Sequence, residues 1–334
     1  MSYTIYKLKF PSGIHIGDVK YISLDSTSLT VSSDTFFSAI YAEYVRLFQD
    51  KELFELSNNG EFKVSDLFPF KNEELYLPKP FISIERKKEA ETKHTVDRKK
   101  VKSLSYLTAH QLTDYLNFLR TGENFPQVDD DFGQKQLYTK NQISGTGEDT
   151  RLYNIEIFKF NEYSGLYFIL KCKDEFTKKF NTVLDSLSYT GIGGKKSSGY
   201  GKFIIEKEKI SLDKNTKSDI KSVQFIKSSL LYDDTVVEDN KKYMLLSSYA
   251  PQETEVDKIK NDNNTYNLIK RSGFVNSSSY SNEPQKRGQV YMLSSGSVLD
   301  FIPQGKLLDL NLHGNHEIYR LGKPIVMGVD LWEE

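Results

Sequence analysis

The sequence predicts an α+β protein whose first part is a ferredoxin-like domain with a long insertion. Two features give this. With a charged, loop-rich central stretch set aside, apolar periodicity runs strand–helix–strand–strand–helix–strand, the split βαβ order. The 334 residues also suffice for two domains, and a strand-rich second half is compatible with another domain of the same kind.

Residues 3–10 alternate polar and apolar side chains, as a half-buried strand does. Pro11-Ser12-Gly13 marks a turn, and Ile14-His15-Ile16-Gly17 a short extended piece. Ser33-Asp34-Thr35 signals a helix start, because short oxygen-bearing side chains cap exposed N–H groups. Phe36, Phe37, Ile40, Tyr41, Tyr44, Val45 and Phe48 follow at helical spacing. Residues 62–68 and 74–77 read as strands, and 104–119 as a helix. Residues 121–150, rich in Gly, Asp, Asn and Gln, predict a long loop, so the insertion spans about 83–150. Strand pattern resumes at 152–160 and 165–171. Asp174-Glu175 opens a helix carrying Phe176, Phe180, Val183, Leu184 and Leu187. A glycine-rich loop at 191–201 and a strand at 202–210 complete a first domain of residues 1–211. The polar stretch 212–221 reads as a linker. The second domain, 222–334, has strand-like runs at 223–231, 242–246, 289–293, 317–321 and 324–329.

Net charge is −1, so no global positive field attracts nucleic acid, and any such site must be a local concentration of charge. Arg86-Lys87-Lys88, Arg98-Lys99-Lys100, Lys195-Lys196 and Lys270-Arg271 are the local runs; each also reads as a solvated face. Cys172 is the sole cysteine, which excludes an intrachain disulfide and a Cys-rich metal site. The first ten residues lack the apolar core of a signal peptide, and no apolar run reaches membrane-spanning length. The expected compartment is the cytoplasm.

The segment Gly191-Ile192-Gly193-Gly194-Lys195-Lys196-Ser197-Ser198-Gly199-Tyr200-Gly201-Lys202 carries the most chemistry. Glycines permit positive φ and close backbone approach, and exposed N–H groups in series form anion-binding concavities. Lysines add point charges, and Tyr200 offers a face to a base. Such a loop suits a polyanionic strand; a flexible loop with solvated lysines is the other reading. A Walker loop is excluded because Tyr189 stands where its first glycine must be, and a dinucleotide fingerprint because Lys196 stands at its third.

His15 is the general-base candidate of the first half, with no partner evident in sequence. His313 and His316 are spaced for zinc but lack further N or S ligands. Asp34 fits capping or ligand positioning better than catalysis. Lys270-Arg271-Ser272-Gly273 and Ser294-Ser295-Gly296-Ser297 offer guanidinium, hydroxyl and backbone donors suited to phosphates and 2′-hydroxyls, or are simply turns.

Residues 191–203, between a helix and a strand, resemble the glycine-rich loop of the RAMP superfamily of CRISPR proteins. His15-Ile16-Gly17, residues 33–40, residues 270–275, Ser294-Ser295-Gly296-Ser297-Val298 and residues 319–324 narrow the resemblance to the fourth-subunit family of the type III-A Csm effector complex. It covers nearly the whole chain in order, with little in 83–150. The resemblance implies two RRM-like, ferredoxin-fold domains and a non-catalytic role in antiviral defence. In that role the subunit holds the 5′ handle of the guide RNA and uses no cofactor or metal. The implied protein partners are the large polymerase/cyclase-like subunit and a backbone RAMP subunit, which carries target cleavage. Target RNA is met indirectly. RNA contacts are then expected at His15, Gly17, Ser33, Asp34, Thr35, Gly191, Gly193, Gly194, Lys195, Lys196, Ser197, Ser198, Gly199, Tyr200, Lys202, Lys270, Arg271, Ser272, Ser294 and Ser295. The family's thumb-like wedge would take charge from Arg98, Lys99, Lys100 and Lys102 and apolar surface from Leu104, Tyr106 and Leu107; a solvated loop is the alternative. The second functional reading is a metal-independent endoribonuclease that processes repeat RNA with His15 as base. A nucleotide-binding enzyme is third.

Overall fold

The structure, a computed structural model, describes residues 1–17, 24–82, 98–143, 150–207, 209–213, 215–233, 241–275, 277, 279–281, 283 and 285–329. Its first half begins with β1 (Ser2–Lys9), followed by α1 (Ser33–Phe48) and a short α2 (Glu52–Asn58). α1 turns Phe36, Phe37, Ile40 and Tyr44 inward and stops at Gln49, whose left-handed φ of 56° ends the helical ladder. β2 (Lys63–Val64), β3 (Phe68–Lys71) and β4 (Glu74–Pro78) come next. The strand expected at 62–68 is broken at Ser65-Asp66. There the Ser65 hydroxyl accepts the Ile169 N–H at 2.8 Å, and the Asp66 N–H donates to Leu246 O at 2.9 Å.

The helix expected at 104–119 is also split. After α3 (Arg98–Ser103), β5 (Tyr106–Thr108) pairs with β4, and α4 (Gln111–Thr121) follows. Leu104, Leu107, Leu112, Tyr115 and Phe118 are buried in one cluster, so 104–118 is built into the core and Leu104 and Leu107 cannot form a wedge tip. Tyr106 is half-buried, its hydroxyl 2.9 Å from that of Thr30. The runs at 83–97 and 144–149 lie outside the described residues, Arg86-Lys87-Lys88 among them.

The loop expected at 121–150 contains a strand instead. β6 (Gly133–Ile143) and β7 (Thr150–Phe160), 11 residues each, form one antiparallel hairpin from Gly133–Phe160 to Ile143–Thr150. Its polar composition is that of a two-stranded ribbon with one face, Leu137, Thr139, Asn141, Leu152 and Asn154, exposed and the other, with Ile155 and Ile157, covered.

β8 (Ser164–Cys172), α5 (Asp174–Thr190), β9 (Ile204–Ile205) and β10 (Ile210–Ser211) complete the half. The antiparallel sheet runs β10-β1-β8-β3-β4-β5, with β9 also on β1. Counting β1, β3, β8 and β9/β10 as the four strands, the fourth, first, third and second lie side by side, as a split βαβ unit places them. Even-numbered Tyr6 and Leu8 face α1 and α5; odd-numbered Tyr3 and Ile5 face the other way.

That other face is covered by the second half. Phe68, Tyr167 and Ile169 pack there with Val223, Ile226, Met244, Leu246 and Met327. Val223, Ile226 and Leu230 lie on α6 (Lys221–Ser229) and just past it, where a strand was expected at 223–231; their spacing of three and four is helical. The 212–221 linker starts pinned, since Leu212 is buried and its N–H reaches Tyr3 O at 2.9 Å. Beyond it, β11 (Lys242–Leu245) and α7 (Val256–Ile259) precede β12 (Leu268–Arg271), β13 (Phe274–Val275), β14 (Gln285–Lys286) and β15 (Val290–Leu293). β16 (Val298–Leu299), β17 (Leu307–Asp309), β18 (Tyr319–Leu321) and β19 (Val326–Val329) follow. The sheet is β16-β11-β19, with Thr265 bridged to Val298 at its β16 edge; β12–β15, β13–β14 and β17–β18 are small antiparallel ladders. The whole is a mixed α/β protein with antiparallel sheets.

Candidate nucleic-acid interface

The glycine-rich loop leaves α5 at Gly191, φ 81°, and is stitched to the segment after β1. The Ile192 N–H donates to Gly201 O (2.9 Å), the Gly201 N–H to Gly13 O (3.0 Å) and the Gly194 N–H to His15 O (2.8 Å). A Cβ on Gly201 would lie 1.9 Å from Ile192 O, and one on Gly193 2.4 Å from His15 O. The glycines therefore serve close approach within the chain. The N–H groups of Gly191, Ile192, Gly194, Ser198, Gly199 and Gly201 are committed internally, so about half of the loop's backbone donors serve the fold. Lys196, Ser197, Ser198 and Lys202 are exposed, and Lys195 sits at φ 56° before a single 3₁₀ turn.

The hairpin lies against this loop. Lys195 Nζ is 4.2 Å from the Tyr153 ring centre, Lys140 Nζ 4.5 Å from that of Tyr200, and Lys159 Nζ 5.5 Å from that of Tyr138. Lys140 pairs with Tyr153 and Tyr138 with Ile155, so Tyr138, Lys140, Tyr153 and Lys159 share one face. Cations and rings alternate across the junction, the composition that tracks phosphates and stacks bases.

His15 is 3 % exposed. Its Nδ1 donates to Glu156 O at 2.8 Å, and the ring lies against Gly194. The Glu156 carboxylate is engaged by the Thr27 N–H (2.8 Å) and Lys135 Nζ (3.1 Å). The imidazole is thus a post between loop and hairpin. Gly17 is exposed and bridges Thr27.

The remaining candidates gather at the start of α1. Asp34 is fully buried, 3.1 Å from Arg271 and 3.0 Å from Arg320, and accepts from the Ser248 hydroxyl at 3.2 Å. Ser33 accepts the Ser248 N–H (2.8 Å) and donates its own N–H to Asp66 (2.7 Å), which also receives the Ser295 hydroxyl (2.7 Å). Thr35 Oγ1 is 3.4 Å from Arg320. Ser33, Asp34, Arg271 and Ser295 therefore join the two halves. Ser272 O accepts from Arg287 at 2.8 Å, and the Ser294 hydroxyl from Asn267 at 3.4 Å. Lys270 is exposed, opposite Tyr291 on β15. Burial raises the Asp66 carboxyl above its ordinary range and lowers the Arg320 guanidinium.

The expected residues thus fall into two groups, the loop with His15 and the α1 start with the second-half loops. Glu156, Lys140, Tyr153, Asp66 and Arg287 went unmarked in sequence. Only the hairpin register reveals Lys140 and Tyr153, and Arg287 follows a single lysine with no motif of its own. His316 Nε2 is 3.2 Å from the Ser277 hydroxyl and its ring stands edge-on to Tyr280. Among the described residues no group of three His, Cys, Asp or Glu is placed to hold a metal, and no helix is long and apolar enough to cross a membrane. Cys172 is buried, which pushes its thiol pKa up.

A family model of the RAMP superfamily matches residues 7–204, which hold the loop, His15 and the hairpin; the chain belongs to that superfamily. Its second half is more particular. Residues 238–329 match the CRISPR Csm4 C-terminal domain. The CRISPR system Cms protein Csm4 of Streptococcus thermophilus is 28% identical over 339 residues, covering 99% of this chain and 100% of that protein. The Mycobacterium tuberculosis H37Rv protein of the same name is 25% identical over 315 residues, 94% of each. Two solved structures share the fold. A chain of the Csm3-Csm4 subcomplex of the type III-A CRISPR-Cas interference complex superposes with TM-score 0.62 at 19% identity, over 99% of this chain and 100% of that one. A chain of the Csm1-Csm4 cassette in complex with cA4 gives 0.58 at 18%, with the same coverage.

Proposed function

We propose that this chain is the Csm4-type subunit of a type III-A effector complex and that it holds the 5′ handle of the guide RNA without cutting it. The observation that carries this is the cation–ring face between loop and hairpin, Lys195 on Tyr153 and Lys140 on Tyr200. Guide pairing supplies sequence recognition in RNA-guided systems, so the protein needs grip more than base readout. Its partners are the large polymerase/cyclase-like subunit and a backbone RAMP subunit, with target RNA reached through the guide and the cytoplasm as the place of action. The company that Csm4 keeps in the similar solved structures, Csm3 in one and Csm1 in the other, supports that choice. The fold reading is two ferredoxin-like domains: the strand order of the first half supports one, and β19-β11-β16 with Thr265 beside β16 supports a reduced second.

The burial of His15, which keeps its ring from a 2′-hydroxyl, supports the non-catalytic reading. Incubating the chain with repeat RNA in chelator tests it. Handle binding with intact RNA is expected. Metal-independent cleavage that disappears in His15→Ala would instead establish the processing nuclease.

A further inference from the structure

Arg271, Arg287 and Arg320 come from separate segments of the second half and gather over the first turn of α1. Arg271 and Arg320 share Asp34. Arg287 has no such carboxylate among the described residues; it donates one hydrogen bond, to Ser272 O at 2.8 Å. Its charge is felt by its neighbours all the same. Burial first, and then Arg320, lower its pKa to about 10. The Nε atoms of all three guanidiniums are buried without a hydrogen-bond partner among the described residues, and Arg320 is only 4 % exposed.

Buried donors in this condition are rare and call for a partner. Three guanidiniums stand against Asp34 and Asp66. With both carboxylates ionised one positive charge is left over, and burial already favours the neutral form of Asp66. Water would satisfy a donor but not the charge. A tetrahedral oxyanion does both, because its oxygens accept from planar guanidinium edges. The side nearest solvent is that of Arg287, which is half-buried, beside exposed Ser272. Gly273 keeps that side open: a Cβ there would lie 3.2 Å from an Arg287 terminal nitrogen.

We propose that Arg271, Arg287 and Arg320 form a phosphate site at the junction of the two halves, and that it takes one backbone phosphate of the RNA held by this chain. The site rests on the RNA-binding reading but is separate from the loop and hairpin. It gives the strand a second anchor, made by both halves at once.

Two measurements on the full chain test this. The first is thermal unfolding in inorganic phosphate against chloride at equal ionic strength. Phosphate stabilises the wild type and not Arg287→Gln. The second is binding of a repeat-handle RNA across a salt series. Arg287→Gln weakens binding about tenfold and lowers the slope of log K against log salt by about 0.7, the share of one single-strand phosphate. Arg287→Lys keeps the charge and most of the slope, and serves if the Gln variant does not fold. Phosphate stabilisation lost in Arg287→Gln with RNA binding unchanged means a free or nucleotide phosphate is the ligand, and overturns the RNA assignment. No phosphate effect and an unchanged slope overturn the site, while Lys195→Ala/Lys196→Ala can still weaken RNA binding and leave the broader reading intact. A chain that binds no RNA at all sinks both together.

Discussion

Asp66 accepts hydrogen bonds from both halves of the chain, the Ser33 N–H and the Ser295 hydroxyl, each at 2.7 Å. Loss of water outweighs them, and its carboxyl pKa is raised. The folded state then binds a proton more readily than the unfolded one. The stability this contributes is full below the ordinary carboxylate value and is lost as pH rises through the raised one. Asp66→Asn should therefore gain on the wild type in urea unfolding as pH rises from the ordinary carboxylate range through the raised value. A gap that stays constant with pH would mean that Asp66 titrates as an ordinary carboxylate. Sequence could mark Ser33, Asp34 and Arg271 as polar groups at element ends. It could not say that they take each other as partners, because the seating of one half on the other decides that.

The loop and hairpin work as one element pair, and glycine geometry fixes how closely they meet. At Gly199, φ 87°, an added Cβ meets nothing within 4 Å; at Gly201, φ 76°, it meets Ile192 O at 1.9 Å. Gly199→Ala should cost about 1–2 kcal/mol of stability from backbone strain, and Gly201→Ala about 3 kcal/mol or more with weaker RNA binding. Equal losses in denaturant titrations would show that the stitch to Ile192 is not tight. The loop, α1 and α5 were legible because each is governed by its own residues: glycines at forced turns, apolar side chains at helical spacing. The hairpin was not, since a polar ribbon has loop composition and gains its order from pairing and from docking on the loop. Residues 106–108 carry a helical pattern in sequence because only the β4 edge makes them a strand, and the short apolar run of α6 fits either period.

At the scale of the molecule, both halves complete one core. Tyr3, Ile5, Phe68, Tyr167 and Ile169 are covered by Val223, Met244, Leu246 and Met327. The full chain should unfold in a single transition, and residues 1–211 alone should expose that sheet face and aggregate or bind a hydrophobic dye. A monomeric, dye-silent 1–211 fragment would mean that the interface is dispensable. The most direct test is the salt dependence of repeat-handle RNA binding by the wild type and Lys195→Ala/Lys196→Ala. If both lysines touch phosphates directly, the double variant binds more weakly and its log K–log salt slope is shallower by about 1.4, roughly 0.7 for each phosphate no longer neutralised. An unchanged slope with unchanged affinity would contradict the glycine-rich loop as an RNA-holding surface.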